Sequence, residues 1–87
     1  MAEYRILIKV SAAKEIEAVG TKADRQRVVG RIRALAADPR APGSEKLAGY
    51  ADRYRIRQGQ YRIIFLIDDG RHEVTIFKVG HRKDVYK

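Results

Sequence analysis

Two runs near the end of the chain, Tyr61 to Ile67 (YRIIFLI) and Glu73 to Val79 (EVTIFKV), are apolar at both odd and even positions. Alternate residues of a strand point to opposite faces, so a run apolar on both parities belongs inside a sheet covered on both sides. Between them stands Asp69-Gly70, a two-residue hairpin signal. The pattern therefore predicts a central antiparallel hairpin that needs a partner layer on each face. With 87 residues in all, there is room for one such core, and a single domain spanning 1–87 is expected.

The rest of the chain supplies one cover. Tyr4 to Val10 alternates and reads as a half-buried strand, with Tyr4, Ile6, Ile8 and Val10 on one face. Ser11 can cap a short helix ending near Val19, with Gly20 just beyond it. Thr21 or Asp24 can start a second helix reaching Ala37, whose apolar stripe is Val28, Ile32, Leu35 and Ala36. Asp38 to Ser44 (DPRAPGS) holds both prolines and breaks the helical period. Arg53 to Gln58 then alternates as a strand, and Gly59 marks the next turn. The expected fold is α+β, in the order β-α-α-β-β-β. A helical hairpin packs on one face of a small antiparallel sheet, and the first strand pairs at a sheet edge. What the second face does is the functional question.

Charge gives the first answer. The chain carries 19 Lys plus Arg against 11 Asp plus Glu, a formal net of +8, which suits a polyanionic partner. The surplus is uneven: residues 1–52 are net +3 and residues 53–87 are net +5. Without cysteine there is no disulfide framework, thiolate zinc site or cysteine nucleophile. Arg5 and Lys9 interrupt the N-terminal apolar run, so it does not read as a signal-peptide core. No stretch approaches the roughly 20 apolar residues of a membrane span. Two histidines nine positions apart, without suitably spaced carboxylates, do not define a metal site. The expectation is a cytoplasmic domain needing neither metal nor other cofactor.

Within the basic half, Arg53, Arg55 and Arg57 share a strand face with a spacing of roughly 6.6 Å between alternate residues. That approaches the roughly 6–7 Å between phosphates of a nucleic-acid strand. The same charges equally serve a solvated edge strand by discouraging edge-to-edge pairing. Arg62 opens the central strand, where Ile64 and Leu66 on its parity read as buried. A guanidinium there needs an anion: a bidentate phosphate, or a carboxylate of Asp52, Asp68 or Asp84. His81 and Arg82 follow the last strand, with Tyr86 four residues further. They offer an imidazole, a phosphate clamp and a ring able to stack on a base; a plain basic tail is the alternative.

The order Tyr54-Arg55-Ile56-Arg57, Gly59-Gln60-Tyr61-Arg62-Ile63-Ile64-Phe65, Val79-Gly80-His81-Arg82 and Asp84-Val85-Tyr86 resembles the RelE branch of the RelE/ParE toxin superfamily. Leu47-Ala48-Gly49 also fits. The resemblance is close over 47–87 and rests on element order over 1–46. It implies a RelE-like fold and a bacterial or archaeal type II toxin, neutralised by a protein antitoxin. It also implies cleavage of mRNA in the ribosomal A site without a metal. Family functional positions map onto Arg55, Arg57, Arg62, Arg82 and Tyr86, and Arg53 and Lys83 join them as RNA-binding candidates. The expected chemistry is attack of a 2′-OH on the adjacent phosphate, with Arg62 and Arg82 neutralising charge and Tyr86 stacking or assisting the leaving group.

One departure bears on the proton transfers. The family often has lysines where Arg55 and Arg57 stand, and arginine does not give up its proton. His81 is the replacement available as base or acid. The missing lysines also keep open a ParE-like binding toxin that poisons DNA gyrase and cuts no RNA.

Overall fold

The computed structural model describes residues 3–81, and the anticipated hairpin lies at its centre. The elements are β1 (Arg5–Ile8), α1 (Val10–Glu17), α2 (Lys22–Ala34), β2 (Glu45–Lys46), β3 (Arg53–Gln58), β4 (Tyr61–Asp68) and β5 (Glu73–His81). They form one five-stranded sheet in the order β1-β5-β4-β3-β2. All neighbours are antiparallel except β1 and β5, which run parallel from Arg5↔Glu73 to Ile8↔Ile76. The parallel pair joins the first and last strands, so the two helices and the three intervening strands all lie in the connection between them, which a tight turn could not make. The architecture is thus α+β, as expected, with a mixed sheet and one more strand. At two residues, β2 is too short for any periodicity to reveal.

The helices cover one face. Ala12 and Ile16 of α1, with Val28 and Ile32 of α2 and Leu35 just beyond it, pack on Ile56, Ile63, Phe65, Ile67, Val74, Ile76 and Val79. These are the one-parity residues of β3 and β4 and, up to an irregularity described below, of β5. Burial of such side chains contributes about 1.5–3 kcal/mol each, so this layer specifies which face of each strand turns inward. Glu15 of α1 accepts a hydrogen bond from the Val79 N–H (2.9 Å), which ties the helix to β5.

Three local expectations change. Ser11 lies inside α1, and Lys9 is the N-cap residue without a side-chain cap bond, because the chain enters the helix almost directly from β1. Thr21 does cap α2, its Oγ1 accepting from the Asp24 N–H at 3.0 Å. α2 ends at Ala34 rather than Ala37. Pro39 disfavours helical geometry at Asp38, and the Ala36 carbonyl accepts from Tyr4 N–H instead (2.8 Å). The β4–β5 connection spans 69–72 rather than two residues, since Asp68 pairs with Glu73. Its left-handed residue is His72 (φ 58°).

Candidate nucleic-acid interface

The face of the sheet opposite the helices carries the basic side chains. Tyr54 and Ile56 turn to the core, so Arg53, Arg55 and Arg57 emerge on the open side. On β4, Ile63, Phe65 and Ile67 turn inward, and Arg62, Ile64 and Leu66 emerge. The β3–β4 register sets Arg53 against Leu66, Arg55 against Ile64 and Arg57 against Arg62. Two guanidinium-bearing residues therefore stand as direct cross-strand neighbours, an arrangement that like charges disfavour unless an anion lies between them. Across from Arg62 on β5 is Gly80, which adds no side chain beside it.

A β-bulge supplies a residue that the sequence pattern conceals. Phe65 pairs with Ile76 and Ile64 with Lys78, so Phe77 is the extra residue of β5. By simple alternation Lys78 would share the core face with Val74 and Ile76. The inserted residue turns it to the open side, opposite Ile64. Phe77 also reaches that side: its ring lies 4.7 Å from the Arg53 guanidinium and 4.2 Å from Lys9 Nζ. Lys9, Phe77 and Lys78 thus join the arginines, and only the bulge would have disclosed Lys78.

The electrostatics follow. Glu45 of β2 faces Arg55 and accepts from its Nη2 at 2.8 Å. Its carboxyl is held below the ordinary range, first by that hydrogen bond and charge, then by the more distant charges of Arg57 and Arg62. Glu73 pairs with Arg5 at the other edge. Asp68, a candidate anion for Arg62, accepts instead from the Arg71 N–H (2.9 Å) in its own turn.

The register separates two residues read together from the sequence. Tyr61 pairs with His81, and Tyr61 lies on the helix side, its hydroxyl accepting from the Gly20 N–H at 3.1 Å. The His81 ring meets Tyr61 edge-on, centroids 5.8 Å apart. Arg62 and His81 therefore project from opposite faces. Arg82, Lys83 and Tyr86 lie outside the described residues. Among those described, no cluster of three His, Cys, Asp or Glu side chains could hold a metal ion, and no helix is long and apolar enough to cross a membrane. A groove of about 320 Å³ lies on α2, lined by Arg25, Gln26, Val29, Gly30 and Arg33; it brings no acid–base pair together.

Over residues 5–86 the sequence matches the family described as the ParE toxin of the type II toxin–antitoxin system parDE. It is 26% identical to Toxin RelE of Mycobacterium tuberculosis over 84 residues, 97% of this chain and 87% of that protein. A shorter match, 34% over 53 residues and 61% of each chain, is to Toxin RelG of the same organism. The fold superposes on a chain of the RelBE2 toxin–antitoxin complex from that bacterium with a TM-score of 0.81 and 26% identity, covering 97% of both chains. It also superposes on a chain of the archaeal RelE–RelB complex of Pyrococcus horikoshii, with a TM-score of 0.78 and 25% identity over 95% of this chain and 99% of that one.

Proposed function

Since this chain belongs to the RelE/ParE superfamily of type II toxins, we propose that it is a ribosome-dependent mRNA endoribonuclease whose substrate lies across the open sheet face. The observation that carries this reading is the cross-strand pair Arg57 and Arg62, flanked by Arg55 and Lys78 on the sheet face opposite the helices. Single-stranded RNA presents phosphates at a spacing such a face can follow, and its bases leave the strand free to lie flat.

Cleavage needs no external nucleophile. The 2′-OH of one nucleotide loses its proton to water and attacks its own 3′-phosphate, forming a 2′,3′-cyclic phosphate as the bond to the next 5′-oxygen breaks and that oxygen takes up a proton. Arg62 and Arg57 neutralise the charge growing on the phosphoryl oxygens and hold the phosphate for in-line attack. Arg82 and Tyr86 keep the roles implied by the family, charge neutralisation and stacking or leaving-group assistance, and Lys83 stays a candidate for RNA binding. His81, on the far side of the sheet from Arg62, is assigned the positioning of the β5 end through Tyr61 rather than proton transfer. The requirement for a 2′-OH makes RNA, not DNA, the substrate.

A protein antitoxin is the expected partner, as relatives crystallised as toxin–antitoxin complexes suggest. An acidic segment lying on the basic face would complement its charge and block RNA.

Primer-extension mapping of mRNA after brief induction in bacteria tests the proposal. Growth arrest with cuts inside translated codons is expected. The matching family's ParE description favours one other reading, a gyrase poison. Arrest with intact mRNA and inhibited supercoiling by purified gyrase would establish that reading and remove the nuclease.

A further inference from the structure

At the other end of β3 from Arg57, the open face carries a stack that phosphate binding does not require. The Arg53 guanidinium lies between two rings, 4.4 Å from the Tyr50 centroid and 4.7 Å from that of Phe77, and Lys9 Nζ sits 4.2 Å from the same Phe77 ring. Among the described residues no carboxylate forms an ion pair with Arg53 or Lys9, so both charges remain available to an anion. Tyr50 is 49% exposed, an unusual place for a tyrosine whose role is only to fill space.

The loop before β3 is shaped to hold that ring out. Leu47 N–H donates to the Arg53 carbonyl (2.9 Å), and Tyr50 N–H donates to the Leu47 carbonyl (3.4 Å). Gly49 turns the chain with φ +85°, a conformation costly for any residue bearing a Cβ. Tyr50 is thus presented from a closed turn directly over Arg53.

We propose that Tyr50, Arg53 and Phe77 form a stacking subsite for one nucleobase of single-stranded RNA, two nucleotides along the strand from the phosphate at Arg57 and Arg62. Four residues of strand span roughly 13 Å, about two phosphate spacings of roughly 6–7 Å. Every base has an apolar face, and a base laid on Tyr50 extends the existing alternation of ring and cation by one layer. Lys9 and Arg53 meet the phosphate that this nucleotide brings. The subsite rests on the RNA reading above and deepens it.

The test uses the full chain and an eight-residue 2′-O-methyl oligonucleotide, which lacks the attacking hydroxyl, carrying the fluorescent base 2-aminopurine at one position at a time. Stacking quenches the probe, so quenching beyond the free-strand level is expected at one interior position. Tyr50→Ala should abolish that quench and weaken binding about 10-fold. Tyr50→Phe should restore both, because the ring and not the hydroxyl stacks. Arg53→Lys, which keeps the charge but loses the plane, should weaken the quench. Circular dichroism of each variant verifies that it is folded. RNA bound in an Arg57- and Arg62-dependent manner, with no position quenched or with Tyr50→Ala unchanged, overturns the subsite and leaves the RNA reading intact. Failure of the chain to bind the oligonucleotide at all overturns the subsite, while the RNA reading stands or falls on the primer-extension mapping.

Discussion

Asp69 occupies the exposed turn between β4 and β5, yet its carboxylate accepts from Arg40 Nη1 (3.1 Å), Arg40 Nη2 (2.8 Å) and Tyr4 Oη (2.5 Å). Arg40 also lies over the Tyr54 ring, and the Tyr4 ring stacks on His72 with centroids 4.0 Å apart. One carboxylate thereby joins the loop after α2, the segment before β1 and the β4–β5 turn. The hydrogen bonds from Arg40 and then Tyr4 lower its pKa to about 2. A depressed carboxyl pKa means stability present above the unfolded value near 3.8 and lost as pH falls through the folded value. Acid unfolding followed by circular dichroism should therefore steepen between about pH 4 and pH 2. Asp69→Asn should flatten that segment; an unchanged profile would mean the three-way contact contributes nothing in solution. At the same scale, Arg62→Ala should slow cleavage of ribosome-bound mRNA by about 10²-fold or more. His81→Asn, removing an imidazole from the opposite face, should cost only a few-fold and leave the pH profile of cleavage unchanged. A profile that changed shape with the substitution would return His81 to proton transfer.

Among the elements, α2 shows a local choice that packing does not demand. Gly30 is exposed in the helix interior, and a Cβ added there would meet nothing within 4 Å. Gly30→Ala should stabilise the fold by about 0.5–1 kcal/mol, read as a rise in Tm of a few degrees. A fall in Tm would show that the groove beside Arg25 and Arg33 needs the missing methyl. Thr21→Ala, removing the cap of the same helix, should cost about 1 kcal/mol. Both effects were open to sequence reasoning, because caps and propensities act within one turn of helix. The stripe Val28, Ile32 and Leu35 was legible for the same reason. β5 was legible only in part. Counting alternate residues through EVTIFKV is valid until Phe77, where the bulge inserts one residue and every later side chain changes face. The bulge forms against β4, so the signal for Lys78 lies in a partner strand and not in its own neighbours. Tyr50 is illegible for a different reason: its loop has no period to read, and its place emerges only where Arg53 lies over its ring and that of Phe77.

Across the whole molecule, charge and layer placement divide the work. One sheet face is closed by helices, and the other gathers Arg53, Arg55, Arg57, Arg62, Lys9 and Lys78. Binding of single-stranded RNA to that face should weaken linearly in log affinity against log salt, by about 0.7 per phosphate neutralised. Arg57→Ala should reduce the slope by roughly that amount, measured by fluorescence anisotropy over a salt titration. Substituting a helix-face residue such as Arg27, which pairs with Asp24 inside α2, should leave the slope unchanged. Equal reductions for both would mean that RNA binding is diffuse over the surface rather than confined to the sheet.

The amino-acid sequence by itself determined the class of fold, the central hairpin, the helical cover and the alternation that sends Arg53, Arg55 and Arg57 away from the core. Each depends on a period of two or 3.6 residues, which a chain displays without knowing its partners. Only the tertiary structure decided that Arg57 stands opposite Arg62 and that β1 joins β5 in parallel. It also decided that Phe77 is an inserted residue and that His81 turns to the helix side. Those are matters of register, and register is set by contacts between residues far apart in the chain, where a shift of a single position exchanges the two faces of a sheet.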